Sequence, residues 1–264
     1  MAVLKSKRTV SKEEYEHSFK AMYKHFVSYL SNVPKRRQKW LCKDLYRILN
    51  RTFEDIMEIS EGYFAGDNKR EAIDAVVLSC IQRLQRLQKP LLVLWNIEKF
   101  EMRRMVHWVK LIHTVLDLLN NMMETPIEMD DLYVLDWSAI YRAKFMSNMV
   151  ELHRFVHGKV VKAPAKDDDS YNYLFITLID NALYELCEAN RRVPKTAAEY
   201  QKRRKHISTA ISNLNKCQRP MVYFFSVHEY SNEVIKQMSG LLSAELKMLY
   251  GLNKSDKIRF SNLK

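Results

Sequence analysis

The chain has 264 residues and 31.4 kDa, with 43 Lys and Arg against 31 Asp and Glu, a net charge of +12 and a pI of 9.4. Hydrophobic residues make up 47%, ample for a core, while 5 glycines and 6 prolines are too few for the frequent turns of sandwiches, barrels or dinucleotide-binding folds. A disordered tail is excluded by the same numbers, and the charge points to phosphate backbones, anionic membranes or acidic proteins as partners. Residues 1–130 carry 22 basic and 17 acidic side chains, and the remainder carries 21 and 14, so both halves are basic.

The helices follow in chain order. Ser11-Lys12-Glu13-Glu14 is an S-x-x-E capping box, and Tyr15, Phe19, Met22, Phe26 and Leu30 after it share one helical face. Pro34 punctuates. A second helix carries Leu41, Leu45, Ile48, Leu49, Phe53, Ile56 and Met57 and is expected to stop near Gly62 and Gly66. Asn68 and Glu71 open a third with Ile73, Val77, Cys80, Ile81, Leu84 and Leu87, which Pro90 ends or kinks. Asn96 is placed as the cap of a fourth, over residues 97–122, carrying Phe100, Val109, Ile112, Leu116 and Leu119.

Residues 124–131 contain Pro126, four acidic residues and no basic one, the composition of a linker. Helices are expected again over 134–156, 170–190, 197–224 and 227–250. Four amphipathic helices joined by short connections bury their stripes against one another as an up-down bundle. The expected fold is all-α: two tandem up-down four-helix bundles over 11–122 and 133–251, joined by a linker at 123–132. A basic segment at 1–10 and a basic tail at 252–264 flank them.

The two halves repeat at an offset of 130 residues. Gln88-Lys89-Pro90 falls on Gln218-Arg219-Pro220, and Val77, Ile81 and Leu84 fall on Ile207, Ile211 and Leu214. Ile97, Phe100, Leu111, Ile112, Leu116 and Leu119 meet Val227, Tyr230, Leu241, Leu242, Leu246 and Leu249. Asn96 coincides with Ser226, itself read as a capping box with Glu229. The first helices of each half fit less neatly, because the stretch 158–169 is longer than the one around Pro34.

The positive charge is patterned. Lys39, Lys43, Arg47 and Arg51 recur every fourth residue with Arg36 beside them, on the face opposite the apolar stripe. Like charges so spaced repel by a few tenths of a kcal/mol per pair, which an anionic partner relieves. At the 130 offset this row becomes Asp169, Tyr173, Thr177 and Asn181. The second half instead gathers Arg191, Arg192, Lys195 and the run Lys202-Arg203-Arg204-Lys205. No aromatics interleave with these basic faces, so the reading is phosphate contact with little base stacking.

Catalytic signatures are missing: no G-x-S-x-G, no phosphate-cradling Gly-Lys loop, no H-E-x-x-H. Glu14-Tyr-Glu-His17 has di-iron spacing but lacks a second copy. His153-x-x-x-His157 sets two imidazoles one turn apart, yet Glu151 lies off their face, and a helix C-terminus explains them. Cys42, Cys80, Cys187 and Cys217 are widely separated, with no C-x-x-C pair. The expectation is a non-enzymatic protein without metal or cofactor. With no secretory signal pattern and no apolar run approaching the ~18–20 residues of a membrane span, a cytoplasmic location is expected and no membrane partner.

Asn32-Val33-Pro34-Lys35-Arg36-Arg37, the long second helix, and Leu84-Gln85-Arg86-Leu87-Gln88-Lys89-Pro90 before a last amphipathic helix together resemble the Avd-like four-helix-bundle family. These are the accessory variability determinants of diversity-generating retroelements. The resemblance covers residues 11–122 and extends to 134–250 through the repeat. It implies a non-catalytic partner of a reverse transcriptase, homo-oligomeric, contacting the polymerase and its RNA or cDNA. The matching basic positions are Lys35, Arg36, Arg37 and Lys39, and Arg83, Arg86 and Lys89. The family's members are single bundles and pentameric, so the duplication departs from the pattern and leaves the stoichiometry open. The competing reading is a helical scaffold whose basic face docks an acidic protein, with no nucleic acid involved.

Overall fold

The computed structural model describes residues 11–32, 42–65, 70–98, 102–127, 143–160, 170–228 and 230–263, and among them there is no strand. The protein is all-α. It divides into two compact units, Met1–Leu135 and Asp136–Lys264.

In the first unit, α1 (Lys12–Ser31) begins where Ser11 Oγ accepts the Glu14 N–H at 3.1 Å, and its buried residues are Tyr15, Phe19, Met22, Phe26 and Leu30. This is the stripe the 3.6-residue period predicts. There follow α2 (Lys43–Ala65), α3 (Arg70–Arg86), α4 (Gln88–Glu98) and α5 (Met102–Met122). The long helices pack in a closed cycle, α1 on α2, α2 on α3, α3 on α5 and α5 on α1. The core between them holds Leu45, Leu49, Ile56, Val77, Ile81, Leu84, Ile112, Leu116 and Leu119. Trp108 is fully buried and takes Phe26 and Tyr29 against its ring, each with centroids 4.8 Å away.

The second unit repeats the plan with α6 (Lys144–Val160), α7 (Ser170–Ala189), α8 (Ala197–Lys216), α9 (Gln218–His228) and α10 (Asn232–Arg259). Its cycle runs α6–α7–α8–α10–α6. Shifted by 130, α4 coincides end to end with α9, and α5 starts where α10 starts. The break between the third and fourth helices is the same in both units. Leu87 N–H is shared between Arg83 O and Leu84 O, and Leu91 N–H reaches Leu87 O; Cys217 N–H is shared between Asn213 O and Leu214 O, and Met221 N–H reaches Cys217 O. Pro90 and Pro220 then occupy the first turn of α4 and α9, where the missing N–H has no intrahelical partner to lose.

Several boundaries differ from the sequence reading, for local reasons. Asn96 is no cap: it is buried inside α4. Ser226 lies inside α9 and turns its hydroxyl onto Tyr223 O at 2.8 Å, while Ser231 caps α10. The reciprocal capping box belongs to Thr196 and Glu199, at the start of α8. The end of α2 does agree: it passes Gly62 and stops at Ala65, beside Gly66. Residues 252–263 are not a tail: α10 runs on to Arg259, and a 3-10 turn, Ser261–Leu263, closes it. Phe260 packs on Tyr200 with centroids 5.7 Å apart. Part of the expected linker is tied down, because Asn120 Nδ2 donates to Ile127 O and Ile127 N–H donates to Asn120 Oδ1, both at 2.8 Å. Residues 128–142 lie outside the described residues.

Candidate nucleic-acid interface and a buried histidine cluster

Of the cations singled out in the first half, Lys35, Arg36, Arg37 and Lys39 lie outside the described residues, as does the Lys43 side chain. Arg47 and Arg51 are exposed on α2, but the next exposed charges along that helix are Glu54, Glu58 and Glu61. The basic row therefore gives way to an acidic one within a turn. Arg83 is an internal strut of the unit, bonded to Asp55 across the α2–α3 contact with its side chain only 11% exposed. Arg86 is exposed and Lys89 half-buried.

In the second half the four-residue run divides sharply. Arg203 is not a surface residue: its Nε donates to Asp256 Oδ2 at 2.6 Å and its guanidinium also reaches Ala189 O. Arg204 is half-buried over the Tyr200 ring, with Cζ 5.7 Å from the centroid. Around Arg192 and Lys195 the positive charge is partly answered by Glu199. That carboxylate takes the Lys195 N–H at 2.7 Å and the Arg192 guanidinium at 3.2 Å, and the backbone donor, ahead of the cations, holds it below the usual carboxylate range. Arg191 is half-buried beside them.

Lys202 and Lys205 are exposed, and they head a strip that sequence reasoning missed. The outer face of α8 and α9 reads Lys202, Lys205, Ser208, Ser212, Asn215, Lys216 and Arg219, all but Glu199 at its start free of acid. On the neighbouring α10, Lys236, Gly240, Ser243, Lys247, Tyr250 and Lys254 are exposed at spacings of four, three, four, three and four. The two faces are joined where Asn215 Nδ2 donates to Tyr250 Oη at 3.2 Å. Beyond Arg219, one helical turn on, Tyr223 stacks on the exposed Tyr171 with centroids 4.4 Å apart. Aromatics do accompany this basic face, contrary to the sequence expectation, because α7, α9 and α10 bring them from distant positions. The signal was present in the 3-4 spacing of the α10 lysines; the pairing with α8 was not.

The second constellation is buried. His153 and His157 on α6 are 0% and 1% exposed, and both direct Nε2 at one oxygen of Asp180 on α7, at 2.9 and 2.6 Å. They are not explained by a helix C-terminus alone: the acid that answers them comes from the next helix, not from Glu151. Asp180 is the first acid in α7, amid Ile176, Leu178, Ile179 and Leu183, an isolation visible in sequence. Burial pushes His153 down to about 4, reinforced by neighbouring His157. Asp180 is held far below the usual range because the two histidines outweigh its own burial.

The four cysteines are buried and unbridged, and desolvation raises the Cys80 thiol to about 11 and Cys217 to about 12. A buried thiol raised in this way holds little thiolate at neutral pH. Among the described residues no helix is long and apolar enough to cross a membrane. No family model, no curated protein and no solved structure matches the chain.

Proposed function

We propose that the protein is a non-catalytic binder of single-stranded nucleic acid, RNA or cDNA, and that the contact runs along the α8–α10 face of the second unit. The observation that carries this reading is the strip across α8, α9 and α10 of Lys202, Lys205, Lys216, Arg219, Lys236, Lys247 and Lys254, interspersed with serine, asparagine and tyrosine. Lysine and arginine neutralise phosphates, while hydroxyl and amide groups donate to their oxygens. Tyr250 and the Tyr171–Tyr223 stack offer π-faces to unstacked bases, which a duplex does not present. The resemblance to retroelement accessory proteins supports the same assignment and adds a partner: a reverse transcriptase whose template or product this face would hold. Oligomerisation and a cytoplasmic setting belong to that proposal.

The test is fluorescence anisotropy with a labelled single-stranded RNA. Log affinity should fall linearly with log salt at a slope of roughly −0.7 per phosphate contacted. Lys205→Glu with Lys247→Glu should weaken binding by about tenfold or more and flatten the salt slope by about 1.5. Arg47→Glu with Arg51→Glu should do less. A salt-independent affinity, or a larger loss from the α2 pair, would overturn the assignment; undiminished capture of an acidic protein without RNA binding would favour the scaffold reading.

A further inference from the structure

We propose that His153, His157 and Asp180 form a three-ligand site for a divalent transition-metal ion, best matched by zinc. The three donor atoms come from two packed helices and lie within 4.8 Å of one another. Two histidines at i and i+4 point from one face of α6, and the carboxylate faces them from α7. Imidazole with carboxylate is a donor set suited to zinc, which among common divalent ions binds nitrogen-containing sites above manganese or iron. Zinc bonds of about 2.0–2.1 Å place tetrahedral ligands about 3.3 Å apart. The His–Asp separations of 2.9 and 2.6 Å require the carboxylate to withdraw by about half an ångström, and the two imidazole nitrogens, within 4.8 Å of each other, to settle at the same spacing; Asp180, 17% exposed, has a solvent side to move toward.

The first unit shows what the scaffold itself requires at this place. At the 130 offset His153, Asp180 and His157 become Tyr23, Asn50 and Val27, and Tyr23 Oη donates to Asn50 Oδ1 at 2.8 Å. One neutral hydrogen bond and an aliphatic side chain suffice to join the two helices there. The second unit has placed three metal-ligating groups on the same positions, two of them fully buried. Packing alone does not call for this, since burying imidazole and carboxylate together is costlier than burying valine.

The measurement is calorimetric titration of the full chain with zinc chloride, paired with the visible spectrum of the cobalt(II) form. One ion per chain is expected, with a tetrahedral cobalt band. His157→Val, which copies Val27 of the first unit, should lower zinc affinity at least 100-fold, since losing a ligand costs no less than the 10–100-fold lost with a supporting residue. His153→Tyr with Asp180→Asn recreates the Tyr23–Asn50 pair and so keeps the helix contact; it should abolish binding and the cobalt band while leaving the circular dichroism unchanged. No stoichiometric zinc binding by the parent chain, or zinc binding that survives both variants, overturns the proposal.

Discussion

The two units share one plan and have put their polar groups to different uses. On the outer face of the third helix, Ala72, Ala75, Gln82, Arg86 and Lys89 of the first unit stand where the second has Lys202, Lys205, Ser212, Lys216 and Arg219. On the last helix, Val106, Lys110, His113 and Asp117, with Glu124 just past its end, stand where the second has Lys236, Gly240, Ser243, Lys247 and Lys254. The charge of one face is therefore neutral or mixed in the first unit and positive in the second, apart from Glu199 and Glu233 at the starts of α8 and α10. Inside, the buried polar residues of the first unit are neutral, Thr52, Ser60, Gln88, Asn96 and Asn120, whereas the second buries a carboxylate–arginine pair, a glutamate and the histidine cluster. A repeated scaffold can be held constant by its apolar stripe while everything off the stripe drifts, because apolar burial supplies most of the stability and is indifferent to surface identity.

The largest expected effect that distinguishes the units is at Arg203. Its side chain is 11% exposed and that of its partner Asp256 3%, and the first unit has Ile73 and Pro126 at the equivalent places. Removing one member strands a buried charge, so Arg203→Ala should cost about 3–5 kcal/mol in urea unfolding. Arg83→Ala, whose partner Asp55 is 29% exposed, should cost distinctly less. Equal losses would mean that the Arg203 pair is no more buried in solution than the Arg83 pair.

Next comes Glu245, buried on α10 where the first unit has Val115. Asn148 Nδ2 donates to it at 2.7 Å, but burial outweighs that bond and raises its carboxyl to about 7, from the ordinary 4.5. The folded state then holds a proton that the unfolded chain releases. Stability should decline as pH rises from about 4.5 through 7, by about 3 kcal/mol at most. Glu245→Gln, which keeps the shape and the neutral form, should flatten that decline in thermal melts between pH 5 and 8. A decline unchanged by the substitution would place its origin elsewhere.

The smallest effect tests the equivalence of the α1–α2 and α6–α7 contacts. Tyr23→Phe removes a hydroxyl that bonds the solvent-exposed Asn50, and the loss should be about 0.5–1 kcal/mol. A loss of several kcal/mol would show that the Tyr23–Asn50 contact is a structural keystone, and would weaken the claim that its counterpart in the second unit is free to serve a ligand.

By itself the sequence determined the helices and their inner faces. The period of Tyr15, Phe19, Met22, Phe26 and Leu30, the break at Pro90 and the 130-residue repeat were legible, because they depend on local spacing that the backbone converts directly into a face or a turn, but the matching break at Cys217 splits the single helix expected over 197–224. Cap positions were less so: Asn96 and Ser226 have the residue type of a cap, but an uninterrupted hydrogen-bonded turn absorbed them. Only the tertiary structure decided which charges are available. Lys202 and Arg203 are adjacent in sequence, yet one meets solvent and the other Asp256, 53 residues away. The same holds for His153, His157 and Asp180, joined across two helices, and for the lysines of α8 and α10, which make one face only because those helices pack side by side. Periodicity fixes which side of a helix a residue occupies; the neighbour waiting on that side is set by packing over distances that no local spacing records.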